Sequence, residues 1–179
     1  NSPTIENCNI VANGDTDFNY SLEKGAGVYI DEYSSPVFIN CKIENNKLFS
    51  NDNAYGAGVY ARHNSNVTFR NCSISKNEAH TKYYYYNNRG GGIYFEGNSL
   101  IIYDSEINQN YITSLSSNSA SVIGAGIYMD RGTLYLENST VSSNKFDSED
   151  GQSFGGIYAY GKTVEIINST ISNNSDGGI

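Results

Sequence analysis

A short glycine-tyrosine phrase that returns along the whole chain constrains the fold more than any other feature. It first reads Gly25-Ala26-Gly27-Val28-Tyr29 and returns every 30 to 34 residues until a shorter last step. The later copies occupy 56–60, 90–94, 124–128, 154–158 and 177–179. A repeat of this length is typical of stacked units such as solenoids. We therefore interpret residues 1–179 as one domain.

A second phrase, Asn or Asp followed by Cys or Ser, alternates with the first. Its leading residues form a first asparagine column: Asn7, Asn40, Asn71, Asp104, Asn138 and Asn168. A second asparagine column follows: Asn13, Asn46, Asn77, Asn110, Asn144 and Asn174. Stacked carboxamides can hydrogen-bond along such a column, so a turn can bury Asn without leaving a polar group unpaired. We expect at least one of the two columns to be buried at a corner.

Apolar residues alternate with polar ones, as in Val67-x-Phe69 and Leu100-x-Ile102, which is the pattern of strands with one buried face. In the glycine phrase the same alternation places Val28 inward, and Gly27 and Tyr29 outward. Equivalent strands recur in the same direction, so they must pair in parallel, and such crossovers are right-handed in nearly all cases. The sequence predicts an all-β, right-handed parallel β-helix of about five to six coils. We expect two or three strands per coil, with long variable loops on one corner, at 14–25, 47–56, 78–90, 111–124 and 145–154.

The repeats resemble those of right-handed parallel β-helix proteins of the pectate-lyase-like superfamily. The phrases that carry the likeness are Gly155-Gly156-Ile157-Tyr158, Ile171-Ser172-Asn173-Asn174 and the stretch from Ser2 to Ile10. Within that superfamily they look most like adhesin-like surface repeats and polymorphic outer membrane proteins. The resemblance implies the fold over nearly the whole chain. It does not choose a function, because the superfamily holds lyases, hydrolases, tailspikes and inert spacers alike.

Charge and hydropathy exclude some classes of partner. The net charge of -8 opposes binding to nucleic acid, which needs clustered Lys and Arg. No apolar run approaches the roughly 20 residues of a membrane-spanning helix, so we expect no membrane insertion. Three cysteines at one repeat position, Cys8, Cys41 and Cys72, leave open whether adjacent coils are joined by a disulfide. The sequons at Asn66, Asn71, Asn138, Asn168 and Asn173 largely follow from the repeat and leave glycosylation open.

The tyrosine of each repeat is the first candidate for ligand binding. This tyrosine column consists of Tyr29, Tyr60, Tyr94, Tyr128 and Tyr158. Beside it runs a glycine column without side chains: Gly27, Gly58, Gly92, Gly126 and Gly156. A flat aromatic surface next to such a groove could stack sugar rings. The alternative is that the tyrosines stack on one another, cover the sheet and are sheltered by loops.

Two carboxylates at one repeat position are the candidate catalytic residues. Glu96 and Asp130 should lie one coil apart, where like charges repel. One of the two could then hold a proton, both could bind a cation, or the two could work as an acid-base pair. The alternative is a solvated strand end on which Arg131 compensates the charge. Asp31, Arg62 and Glu96 fit a ladder of alternating charges.

Asp15-x-Asp17-x-Asn19 has the opening spacing of a calcium loop, but Tyr20 stands where glycine should follow and no Glu closes the loop. Ca²⁺ is therefore the only cofactor considered, and a solvated turn is the favoured interpretation. Two histidines in different phases of the repeat do not make a zinc site. The run 83–86, four tyrosines, either folds back over the tyrosine column or presents an aromatic patch to a partner.

Together these patterns favour an extracellular or cell-surface structural or adhesive scaffold. We expect a segment of a longer column or a fibre-forming unit without terminal caps, whose open ends stack on another copy or on flanking coils. The alternative is a protein that binds or degrades polysaccharide with the tyrosine column and the Glu96/Asp130 pair. The chain is predicted to be a scaffold rather than an enzyme.

Overall fold

The computed structural model describes residues 1–15, 17–18, 23–82, 87–114, 122–147 and 153–179. Within them, short strands pair in parallel and in register to build five sheets, which we label A to E in the order in which each coil passes through them. The described residues contain no helix long and apolar enough to cross a membrane. The all-β parallel solenoid predicted from the repeat is confirmed.

Two sheets run the full length of the solenoid and contain six strands each. Sheet A consists of Thr4–Glu6, Val37–Ile39, Asn66–Arg70, Ser99–Tyr103, Thr133–Glu137 and Thr163–Ile167. Sheet B consists of Asn9–Val11, Lys42–Glu44, Ser73–Ser75, Glu106–Asn108, Thr140–Ser142 and Thr170–Ser172.

The three remaining sheets are shorter. Sheet C consists of Lys47–Ser50, Glu78–Thr81, Tyr111–Ser114 and Lys145–Asp147. Sheet D consists of Ala54–Tyr55, Asn88–Arg89, Val122–Ile123 and Ser153–Phe154. Sheet E consists of Val28–Ile30, Val59–Ala61, Ile93–Phe95, Ile127–Met129 and Ile157–Ala159.

Four coils, 37–61, 66–95, 99–129 and 133–159, contribute a strand to every sheet. The first coil has strands in sheets A, B and E, and single bridges pair Gly14 with Lys47 and Lys24 with Tyr55 where sheets C and D continue. The last strands, in sheets A and B, start a further coil. The predicted five to six coils are therefore four complete coils between two partial ones.

The number of strands per coil differs from the prediction of two or three, because a complete coil has five. The segment expected to be a loop at 47–56 holds the strands Lys47–Ser50 and Ala54–Tyr55. These strands escape sequence analysis because they are two to four residues long and alternate too briefly to show a period. In the complete coils the variable segments stand, in sequence, between the strands of sheets C and D, and the structure describes one of them throughout, at 51–53.

The core is a set of apolar columns that lie parallel to the solenoid axis. Ile93 pairs in register with Val59 on one side and Ile127 on the other, and all three are fully buried. Phe38 and Phe69 stack with their ring centroids 5.0 Å apart. The inward direction predicted for the alternating positions is therefore confirmed in the complete coils.

The two asparagine columns have opposite environments. The first column turns the chain from sheet A to sheet B with φ between 48° and 56°, in the left-handed region that Asn and Asp tolerate, and its side chains are exposed. The second column is buried in the complete coils, where Asn46, Asn77, Asn110 and Asn144 have no exposed surface. Its end members differ, since Asn13 is exposed and Asn174 half-buried. In this column Asn77 Nδ2 donates to Asn110 Oδ1 at 3.0 Å and to the carbonyl of Ile43 at 2.9 Å. The expected buried amide ladder is thus present.

Candidate functional site

The tyrosine column exists as a continuous stack of rings on the outer side of sheet E. Successive ring centroids lie 5.3, 5.3, 5.1 and 5.2 Å apart from Tyr29 to Tyr158. The three rings in the middle are almost parallel, since the planes of Tyr60 and Tyr94 differ by 10° and those of Tyr94 and Tyr128 by 8°. In-register parallel strands impose this spacing, because each coil repeats the same side chain at the same height.

The stack is nevertheless not an accessible platform along its length. Tyr60, Tyr94 and Tyr128 are only 2–4% exposed, whereas Tyr29 is 49% exposed at the first coil. The expectation of an open aromatic surface is therefore wrong for the three middle rings. For them the structure has the alternative arrangement, in which the tyrosines pack on one another and are covered.

A second layer of side chains covers the stack, and it comes from sheet D and its bridge. The layer consists of Lys24, Tyr55, Arg89, Ile123 and Phe154, which occupy one position in successive coils. The Tyr55 ring lies 4.8 Å from that of Tyr94, and the Arg89 guanidinium lies 4.8 Å from the ring centroid of Tyr128. Lys24 Nζ lies 5.3 Å from the ring centroid of Tyr60. Cations over tyrosine faces and apolar contacts thus occupy the surface that a sugar would need.

The glycine column is not a groove either. A Cβ built on Gly58 would lie 2.8 Å from Nδ2 of Asn77, and one on Gly92 would lie 2.8 Å from Nδ2 of Asn110. Each Cβ would also lie 2.6 Å from a glycine carbonyl of the next coil. Glycine is required here because the buried asparagine column fills the space. The predicted outward groove beside the tyrosines is therefore corrected to a packed contact.

Glu96 is the acidic residue most closely tied to the tyrosine column. It follows the strand Ile93–Phe95, its side chain is 17% exposed, and it accepts hydrogen bonds from Tyr94 Oη at 2.8 Å and Tyr60 Oη at 3.2 Å. Burial, and then the hydrogen bond to Glu96 and the charge of that carboxylate, raise the pKa of both phenols well above the ordinary value. The two hydroxyls therefore remain protonated donors, and each occupies one carboxylate oxygen.

His63 approaches the same carboxylate from the preceding coil. Its Nδ1 is buried and lies 3.5 Å from Glu96 Oε2 without forming a hydrogen bond. Sequence analysis missed this neighbour, because His63 stands one position past Arg62, the residue aligned with Glu96. Only the bend of the chain at the corner between sheets E and A brings the imidazole over Glu96.

Asp130 lies at the position of Glu96 in the next coil, as predicted, because Phe95 and Met129 pair in register. Its environment differs, since its side chain is 29% exposed and its nearest cation is Arg131 Nη2 at 3.3 Å. The compensation by Arg131 considered from the sequence is present. The catalytic roles of Glu96 and Asp130 remain predictions.

Of the predicted charge ladder of Asp31, Arg62 and Glu96, the pair of Asp31 and Arg62 forms. Arg62 pairs with Asp31 at 2.8 Å and also contacts Glu32. The backbone N–H of Glu32, and then the Arg62 guanidinium, hold the pKa of Asp31 below its ordinary value. Glu96 stands at the aligned position in the next coil, but its hydrogen bonds come from Tyr60 and Tyr94 of the tyrosine column.

The remaining candidates gain little support. Among the described residues, no group of three or more His, Cys, Asp or Glu side chains could hold a metal ion. Asp15 is half-buried and Asp17 exposed, while Asn19, the third member of the Ca²⁺ hypothesis, lies outside the described residues. The four tyrosines at 83–86 also lie outside them. Cys8, Cys41 and Cys72 are free thiols.

One surface depression, of about 540 Å³, is lined by Asp130 together with Arg131, Tyr160 and Lys162 among others. Two more lie away from the candidate carboxylates. One, of about 650 Å³, lies at the open end of the first coil and is lined by Tyr29, Asp31, Ile5 and Phe38 among others. Another, of about 460 Å³, follows the exposed first asparagine column between sheets A and B. Neither contains Glu96 or Asp130 in its lining.

Comparison with known proteins gives a single finding about the family. The family model described as right handed beta helix region matches residues 1–179. No curated protein matches the chain, and no solved structure does.

Proposed function

Because the chain belongs to the right-handed β-helix family, we propose that it is an extracellular or cell-surface scaffold with a structural or adhesive role. The observation that carries the proposal is the burial of Tyr60, Tyr94 and Tyr128 under a second layer of side chains. The tyrosine column, the most regular feature on the outer side of the solenoid, thus stiffens the molecule.

Three ladders in the complete coils support the same conclusion. The tyrosine column, the buried asparagine column and the apolar core columns all run along the axis, so each coil is held to the next by several independent contacts. A solenoid of this kind is stabilised by nearest-neighbour interfaces and can be extended by adding coils. Such a column suits a spacer that holds a binding surface away from its point of attachment.

Both ends of the described solenoid present unpaired strand edges. Thr4–Glu6 and Thr163–Ile167 are the outer strands of sheet A, and each pairs on one side only. Near them Ile5, Ile10 and Ile166 are only partly buried, although they pack on the main core. Exposed edges next to apolar side chains favour continuation of the sheet. In the proposed function, further coils cover these ends, either of a second copy or of a longer chain.

Two measurements test the scaffold role. Antibody labelling of intact source cells should detect the protein without permeabilisation, and electron microscopy should show rods whose length grows with concentration or with the added flanking sequence. Labelling only after permeabilisation would refute the surface location. Rods of one fixed length under all these conditions would refute extension through the ends.

Polysaccharide binding is the second candidate, and one observation favours it at a single place. Tyr29 is exposed and lines the depression at the first coil together with Asp31. A glycan array with Tyr29→Ala tests this, and Tyr33→Ala is a matched control because Tyr33 is exposed but lies outside the tyrosine column. Loss of a glycan signal in the first variant alone would support binding. Release of unsaturated or reducing sugar ends from polysaccharides, abolished by Glu96→Gln, would instead support an enzyme.

A further inference from the structure

The three cysteines form one column that lies inside the corner between sheets A and B. Cys8 and Cys41 are in register, because Asn7 N donates to Ile39 O on one side of the pair and Lys42 N donates to Cys8 O on the other, both at 2.9 Å. Paired strands lie about 4.8 Å apart. This separation falls within the usual Cα–Cα range of about 4.4–6.8 Å for residues joined by a disulfide.

The thiol groups of Cys41 and Cys72 also contact carbonyl groups of the preceding coil. Cys41 Sγ donates to the carbonyl of Ile5, in the first coil, at 3.3 Å. Cys72 Sγ donates in the same way to the carbonyl of Phe38, in the second coil, at 3.5 Å. Each of these two sulfurs therefore contacts the backbone of the preceding coil, besides a carbonyl of its own coil.

Accessibility distinguishes the three thiols. Cys8 is half-buried, whereas Cys41 and Cys72 are 1% and 3% exposed. Burial raises the pKa of the Cys72 thiol, which reduces its thiolate fraction further. An oxidant that arrives from solvent therefore meets Cys8 first, and the nearest second thiol is Cys41.

We infer that Cys8 and Cys41 are a redox-active pair that forms a disulfide between the first two coils, while Cys72 stays a thiol. The oxidant is a small disulfide such as oxidised glutathione. The Cys8 thiolate attacks one of its sulfurs, which forms a mixed disulfide and releases one glutathione thiolate. The Cys41 thiolate then attacks the Cys8 sulfur and releases the second glutathione. Two electrons pass to oxidised glutathione, and the protons of Cys8 and Cys41 end on the two glutathione thiols.

The disulfide would fasten the first coil, whose core residues are less buried than those of the complete coils. In the first coil Ile5, Ile10 and Val28 are only partly buried, whereas the corresponding residues of the complete coils lie in the main core. A terminal repeat of a solenoid has a neighbour on one side only and opens before the others. The inference goes beyond the proposed scaffold role, although an extracellular location would supply the oxidising conditions.

The test uses the purified chain incubated with oxidised glutathione, alkylated after denaturation and mapped by mass spectrometry. The expected product is a peptide pair linked through Cys8 and Cys41, with Cys72 alkylated and no glutathione retained. The thermal midpoint should rise by on the order of 5–10 °C and return on reduction. Three alkylated thiols, a Cys41–Cys72 link, or glutathione retained on Cys8 in the unmodified chain would each overturn the inference.

Serine variants supply matched controls, because Ser105, Ser139 and Ser169 occupy the same column in later coils. Cys72→Ser should oxidise like the unmodified chain. Cys41→Ser should stop at the mixed disulfide on Cys8, and Cys8→Ser should keep its two thiols. Alkylation rates of the unmodified native chain give a measurement that needs no variant, with Cys8 expected to react fastest. Faster alkylation of Cys41 than of Cys8 would contradict the order of attack.

Discussion

The Cβ atom that Gly92 lacks would lie 2.8 Å from Nδ2 of Asn110, in the coil that follows. The glycine and the asparagine recur in every repeat, and the structure explains why the two recur together. Asn110 uses both amide hydrogens, one to Asn144 Oδ1 and one to the carbonyl of Ile74, each at 2.9 Å. The amide therefore cannot move aside, and the coil that faces it must present a residue without a side chain.

Gly92→Ala should consequently destabilise the protein by about 2–4 kcal/mol, because the added methyl group overlaps both the Asn110 amide and a backbone carbonyl. Urea unfolding followed by circular dichroism measures the change. Gly91→Ala is the matched control, since Ala57 and Ala125 stand at that position in the adjacent coils. A Cβ on Gly91 would lie 2.8 Å from the carbonyl of Ala125, but the contacts nearest to it include no carboxamide. A smaller loss for Gly92→Ala than for Gly91→Ala would contradict the packing explanation.

Asn110→Ala should cost about 2–4 kcal/mol in the same assay, because it leaves buried backbone and carboxamide groups without partners. The groups affected are the carbonyl of Ile74, the N–H of Asn77 and the Nδ2 of Asn77. Asn98→Ala, at an exposed position, should change stability by about 0.5 kcal/mol or less. Equal effects at the two sites would show that the buried ladder does not hold the coils together.

Tyr94→Phe keeps the stacked ring and removes the 2.8 Å hydrogen bond to Glu96. We expect a loss of about 1–2 kcal/mol, because a partly buried carboxylate loses one of its two phenol donors. Tyr94→Ala should cost about 3–5 kcal/mol, since it also opens a cavity in the stack. If Tyr94→Phe were as damaging as Tyr94→Ala, the ring contacts would not be the main contribution of the column.

Acidification should weaken the fold through His80, which stacks on Phe49 with ring centroids 4.3 Å apart. Burial lowers the pKa of His80, and this outweighs the opposing effect of Glu78, 3.1 Å away. The unfolded chain therefore takes up the proton first, and stability is lost as the pH falls below about 6.5 and through the folded pKa.

The unfolding midpoint of His80→Phe should fall less than that of the unmodified chain between pH 7.5 and 5. The variant preserves an aromatic ring against Phe49 and Tyr111 but cannot titrate. Parallel pH profiles for the two proteins would contradict the assignment to His80. Glu78 titrates lower: burial opposes its charge, but hydrogen bonds from Lys47 and His80 together hold the pKa of Glu78 below its ordinary value.

The positions of the candidate site residues could be predicted from the sequence, but their exposure to solvent could not. The register of Glu96 with Asp130 and the alignment of the five tyrosines follow from the repeat, because in-register parallel coils convert equal spacing into vertical alignment. The cover over the tyrosines could not be predicted. It comes from Tyr55 and Arg89, whose strands are two residues long.

The sequence by itself determined the solenoid, the inward face of the strands in sheets A, B and E and the existence of both asparagine columns, since all three depend on periodicity. Tertiary structure alone decided which asparagine column is buried, that the glycine column packs against it, and that His63 meets Glu96. These features depend on how sharply the chain bends at each corner. The period shows which residues align along the axis, but it does not show which columns meet across a corner.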